Sequence, residues 1–256
     1  MDIIPKILML PPRCMVNRKI TKAFFKRNFD LKPSEKRLLD DFSLVTAIEW
    51  IASINPANAN INSWEDDTLR FEEVQIIALQ TSDDGLNKHY TRIAELIQRY
   101  IPYPILLFIH NSKSFIVNAA DKRINLASRS TLLAEKMFYS GQVDPSACVE
   151  QQQSFLDSLT FPKLNKLNLK LLYESYIHRI ISVQGAVIKG SYKLYDPLQA
   201  RQNHAHFEKI AILDKEILFL QNEIHGESQL NTQVQLNLRI QALRKEIQHI
   251  KSLITS

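Results

Sequence analysis

A chain of 256 residues with 45% hydrophobic and 23% charged residues is long enough for one sizeable core and too apolar for a disordered segment. Five glycines and ten prolines argue against a repetitive all-β chain, and no apolar run approaches the roughly 20 residues of a membrane span. The net charge of +5 is modest, but nine basic residues and two acids fall within 13–37, so that segment carries +7 and the rest of the chain −2.

Taken in order, the apolar start over residues 1–10 lacks a charged flank and a small-residue cleavage site, so no cleaved leader is expected. The basic segment follows as an arm. Its cations Arg13, Arg18, Lys19, Lys22, Lys26 and Arg27 are suited to phosphates, and Phe24, Phe25 and Phe29 between them to bases. The plainer alternative is a solvated surface whose aromatic residues fold back onto the core. Cys14 has basic neighbours that favour a thiolate, although a packed cysteine is the commoner outcome. It lies far from Cys148, with no pairing or metal spacing, as in a reducing cytoplasm.

A short helix is expected over 20–25. A longer one opens at Lys32-Pro33-Ser34-Glu35 and carries Leu38, Leu39, Phe42, Val45, Ile48 and Ile51 on one face, with Trp50 and Ile54 extending it to the stop at Asn55-Pro56. Residues 57–62 read as a loop, 70–80 as a strand rich in branched side chains, and 86–100 as a helix. Ile101-Pro102-Tyr103-Pro104 then forces extended chain, because each proline pushes its predecessor out of the α region. The uniformly apolar Ile105-Leu106-Leu107-Phe108-Ile109 predicts a strand buried on both faces, paired in a hairpin with a second strand from Phe115 to about Arg123. Met137-Phe138-Tyr139 adds a further strand, and 164–183 a helix broken off by Gly185 and Gly190.

The last third changes character. Ile210, Leu213, Ile217, Leu220 and Ile224 alternate spacings of three and four, as do Leu236, Ile240, Leu243, Ile247, Ile250 and Ile254. Two seams around a short loop predict an antiparallel helical hairpin, with Gly226 as a left-handed cap and Ser228 opening the second helix. Ile212, Leu218, Phe219 and Leu238 lie off the seams and are expected to dock a partner, with part of their surface packing on the core. The expected architecture is α+β: a small mixed or antiparallel sheet with helices on one face, divided into a basic arm and helix over 1–65, a core over 66–198 and the hairpin over 199–256.

Chemistry is harder to find. A restriction-type nuclease needs two acids and usually a lysine around a divalent cation. Asp66, Asp67 and Glu73 approximate that set, but Gln75 stands where lysine belongs, and acids at a strand edge more often serve solvation. His204 and His206 are two apart on a helix and point in different directions; the other histidines are scattered, so no metal site is expected. With no glycine-rich phosphate loop, no nucleotide cofactor is expected either.

Three stretches resemble a bacterial domain-of-unknown-function family. They are the central Ile101-Pro102-Tyr103-Pro104-Ile105-Leu106-Leu107, the N-terminal Leu10-Pro11 with Val16-Asn17-Arg18-Lys19-Ile20, and the C-terminal segment from Ser228 to Asn237. The last has Thr232-Gln233 where the family carries a basic pair. The resemblance implies a small accessory component like those encoded beside helicases and DNA methyltransferases in bacterial anti-phage defence loci, and no catalytic residue. The expected role is therefore a cytoplasmic, non-catalytic adaptor that docks a helicase-type ATPase or a methyltransferase-associated partner and acts on DNA, with homodimers and direct DNA contact left open. A nuclease and a stand-alone nucleic-acid-binding protein are the alternatives.

Overall fold

A computed structural model describes residues 3–125 and 128–255, apart from the side chains of 128–132 and 255. Met1, Asp2 and Ser256, the extreme ends of the expected first and last segments, lie outside the described residues.

The architecture is α+β. Six strands form one mixed sheet: β1 (Met15–Lys19), β2 (Ala47–Ile54), β5 (Val74–Gln80), β6 (Ile105–His110), β7 (Phe115–Asn125) and β8 (Ser128–Val143), side by side in that order. All neighbours are antiparallel except β5 and β6, which are joined by α5 (Tyr90–Tyr100) in a parallel crossover. A separate two-stranded ribbon pairs β3 (Trp64–Glu65) with β4 (Arg70–Phe71). The sheet takes strands from both sides of residue 65, so the expected boundary there cuts through it.

Helices cover both faces rather than the one expected. On the first face Val74, Ile76, Leu106, Phe108 and Val117 meet α1 (Ile3–Leu8), α6 (Glu150–Ser158) and α7 (Leu169–Lys189). On the second, Ile77, Leu79, Ile105, Leu107 and Ile109 meet α5, α2 (Lys22–Asn28) and α3 (Pro33–Asp40). The central strands are mostly apolar because two layers cover them, and β6 is buried at every residue.

Several expectations change. The helix expected to reach Ile54 ends at Asp40; Asp41 then caps a turn by accepting from the N–H and hydroxyl of Ser43, and the chain enters β2. Ile48, Ile51 and Ile54 suit a pleated surface, and pairing on both edges of β2 overrides the helical reading. The basic arm contains an edge strand, β1, bulged at Asn17, whose φ of 50° asparagine tolerates. The strand expected around Met137 is the 16-residue β8. At its bulge Gly141 takes φ +76°, and Ser140 Oγ accepts the Val117 N–H at 3.0 Å. The interval 57–62 includes the single turn α4 (Pro56–Ala59), capped by Asn55.

Gly185 does not break α7. It lies inside the helix, where a Cβ would run into the Tyr195 ring; Gly190, at φ +75°, is the left-handed cap. The hairpin is α8 (Pro197–Gly226) and α9 (Leu230–Thr255). Lys209 meets Glu246 and Glu216 meets Arg239, the antiparallel order, around a core of Leu213, Ile217, Ile240, Leu243, Ile247, Ile250 and Ile254. Gly226 does not take positive φ. Glu227 closes the turn, its N–H reaching the Ile224 carbonyl and its carboxylate accepting from Gln229 N–H. No helix among the described residues is long and apolar enough to cross a membrane.

Candidate nucleic-acid interface

The two prolines of the central motif create a local problem that three distant side chains solve. The carbonyls of Ile101 and Tyr103 lie outside any ladder, and both accept hydrogen bonds from Lys122 Nζ, at 2.7 and 2.6 Å. Lys122 is 3% exposed, and burial holds its pKa well below the usual lysine value. Gln98 Nε2 donates to the Ile105 carbonyl at 3.1 Å and to Asn118 Oδ1 at 2.9 Å. The Tyr173 hydroxyl accepts the Ala120 N–H at 2.9 Å and lies 3.0 Å from the Ile105 carbonyl. The 101–105 segment is thus fixed from behind.

In front of it lies a cleft of about 680 Å³. Its floor is Trp50 of β2 and Gln75 of β5. Ile101, Pro102 and Tyr103 form one wall, and Phe24 and Phe29 on and beside α2 the other. The Thr21 hydroxyl caps α2 by accepting the Phe24 N–H at 3.1 Å. Trp50 Nε1 donates to the Ala52 carbonyl at 3.0 Å, across a register shift in β2, which orients the indole. Phe29 packs on Tyr100, whose hydroxyl donates to Glu35 at 2.6 Å; burial and that carboxylate push the phenol up to about 12, so it stays a donor.

Arg18, Lys19 and Arg27 stand at the mouth, all exposed, and among the described residues none of the three has an ion-pair partner and no acid lines the cleft. The other expected phosphate contacts are elsewhere. Lys26 pairs with Asp40 at 2.6 Å. Lys22 lies 3.9 Å over the Phe42 ring, with its ammonium out of solvent, and burial lowers its pKa. Arg13 sits in a short 3-10 turn beside Cys14. That cysteine is buried, its pKa raised by burial against a smaller opposing effect of Arg13, so it is packed rather than activated. The three phenylalanines divide: Phe25 is buried, Phe29 half-buried and Phe24 43% exposed toward the cleft.

The nuclease residues do not converge. Asp66 Oδ1 accepts from Thr68 and Leu69 in the β3–β4 turn, and Asp67 is exposed beside it. Glu73 accepts from Gln75 Nε2 at 3.2 Å. Among the described residues no three His, Cys, Asp or Glu side chains gather as a metal site requires. His204 is buried against Phe138, ring centres 4.5 Å apart, at the root of the hairpin. There Arg201 also makes a two-pronged ion pair with Asp121, at 2.6 and 3.0 Å. The four expected docking residues are all exposed, from 53% for Leu238 through Leu218 and Phe219 to 65% for Ile212, so none of them packs on the core.

Sequence reasoning missed Trp50 and Tyr103 as site residues. Only the alternation of Met15-Val16 with Arg18-Lys19 hints at the strand that carries the cations to them.

The model of a domain of unknown function, DUF4391, matches residues 8–247. The chain belongs to that family. The match spans the cleft, the central motif and most of the hairpin, which makes all three parts of the family's domain. Neither a curated protein nor a solved structure matches the chain.

Proposed function

We propose that this protein is a non-catalytic accessory subunit of a bacterial defence complex that acts on DNA, meeting nucleic acid through the cleft and a larger partner through the hairpin. The observation that carries the reading is the cleft mouth. Three exposed cations, none held in an ion pair although Lys19 lies opposite Glu49 in the β1–β2 register, attract phosphates, and the aromatic side chains lining the cleft offer contact to bases. The partner half rests on the resemblance to accessory components encoded beside helicases and DNA methyltransferases, and is supported by the exposed apolar residues Ile212, Leu218, Phe219 and Leu238. A helicase-type ATPase is the partner proposed first. The two cysteines are free thiols, in keeping with a cytoplasmic placement that belongs to the same proposal.

The test is the salt dependence of binding to a labelled oligonucleotide. Each phosphate contact contributes a log–log slope of about −0.7 on a single strand and about −0.9 on a duplex. Replacing Arg18, Lys19 and Arg27 together by alanine is expected to flatten the slope by about 2. An unchanged slope would remove the cleft from the interface and leave these cations as ordinary surface.

A further inference from the structure

We infer that the cleft receives an unstacked nucleotide, within a single strand or at a frayed end, and does not read intact duplex. This rests on the reading of the cleft as a nucleic-acid contact. The reasons are geometric. Trp50 and Gln75 form a floor recessed between α2 and the 101–103 segment, whereas the surface of a duplex is convex and its bases are already stacked. Only the rim cations could meet such a surface, and the aromatic side chains would go unused. A base turned out of its stack reaches them. Phe24 and Tyr103 both line the cleft and offer ring surfaces for stacking, and Gln75, whose Nε2 donates to Glu73, leaves its amide oxygen as a polar group at the floor.

The phosphates of the same strand then lie at the mouth, near Arg18 and Lys19 of β1 and Arg27 of α2. The site is also largely built in advance. Trp50 is pinned through its indole N–H, and the 101–103 wall is held by Lys122, so little ordering opposes binding. Cations from two separate elements suit a continuous backbone better than one compact phosphate group, which argues for a strand over a free nucleotide.

The chain has two tryptophans, so Trp64→Phe leaves Trp50 as the only reporter. Trp64 lies away from the cleft, packed on Phe71 beneath Lys170. In this background the full-length protein is titrated with a single strand, the same sequence as a blunt duplex, and a mononucleotide. The expected result is quenching of Trp50 by the single strand at a concentration at least about ten-fold below the duplex. Phe24→Ala should weaken single-strand binding about ten-fold, within the range for loss of one stacked base, and leave duplex binding unchanged. Tyr103→Ser, on the opposite wall, repeats the test should α2 lose its packing without Phe24.

Duplex binding as tight as single-strand binding, still weakened by loss of the three rim cations, would overturn this inference and spare the proposed function. Binding of neither would overturn both. Equal affinity for the mononucleotide would overturn the strand.

Discussion

The two faces of the sheet are closed in different ways. On one, the 21-residue α7 lays Tyr173, Tyr176, Ile177 and Ile180 into a continuous core that also takes in α1 and α6. On the other, the 11-residue α5 packs over β6, β7 and β8, and the rest of the cover comes from the seven-residue α2 and the eight-residue α3. By helix rise α7, α5, α2 and α3 span about 31, 16, 10 and 12 Å. The shorter cover leaves Trp50 and Gln75 at the bottom of a cleft. A continuous apolar layer stabilises the fold; an interrupted one provides a site, provided something other than packing holds its walls. Here that is the hydrogen bonding of Lys122, Gln98 and Trp50.

The largest effect should come from breaking what both faces share. Leu107→Asp places a carboxylate in a strand with no exposure, at a cost of several kcal/mol, comparable to a domain's whole stability. Loss of soluble expression is expected; a soluble variant with unchanged melting would show that β6 is not central.

Next comes the support of the open face. Lys122→Met leaves the Ile101 and Tyr103 carbonyls without their donor, at about 1–3 kcal/mol for each orphaned group. The pH dependence is specific. The folded protein releases the Lys122 proton below the ordinary lysine value of 10.5, so in that window the unfolded chain binds more protons. Stability from this group therefore rises with pH until 10.5 and is lost toward neutral pH. Urea midpoints across alkaline pH should show this slope in the parent and lack it in the variant.

On the closed face, Gly185→Ala drives a methyl group into Tyr195 and should cost about 1–3 kcal/mol as overpacking. At roughly 2–4 °C per kcal/mol, a thermal melt detects it, and the cleft's ligand affinity should not move. A matching loss of affinity would mean that the two faces are coupled through the sheet.

The smallest effect on stability is expected outside both faces. Leu218→Glu with Phe219→Glu changes two exposed residues and should alter unfolding by no more than about 0.5 kcal/mol, while co-purification with a helicase-type partner is lost. An unfolded variant would place these side chains in the hairpin's own core. Retained binding would move the interface elsewhere.

Much of the architecture was legible because local patterns and tertiary environment agreed. The uniformly apolar run from Ile105 to Ile109, the prolines before it, and the alternating three-and-four spacing of the hairpin each have one low-energy outcome. Where the pattern was ambiguous, partners decided. Residues 47–54 fit a helical face about as well as a strand, and became β2 because β1 and β5 offer hydrogen bonds on both edges. The helices of the second face were readable as helices, but their place on that face was not, since an apolar central strand reports that it is covered and not by what. The cleft was least legible of all. Its cations were visible as a basic segment, but which of them stay free depended on Asp40 and Phe42 claiming Lys26 and Lys22. The aromatic and polar groups that complete it come from β2, β5 and the 101–103 segment, tens of residues away in sequence. Sequence alone determined the charge and the periodicity. Strand pairing decided which charges meet which rings, because the edge strand's register carries Arg18 opposite Trp50.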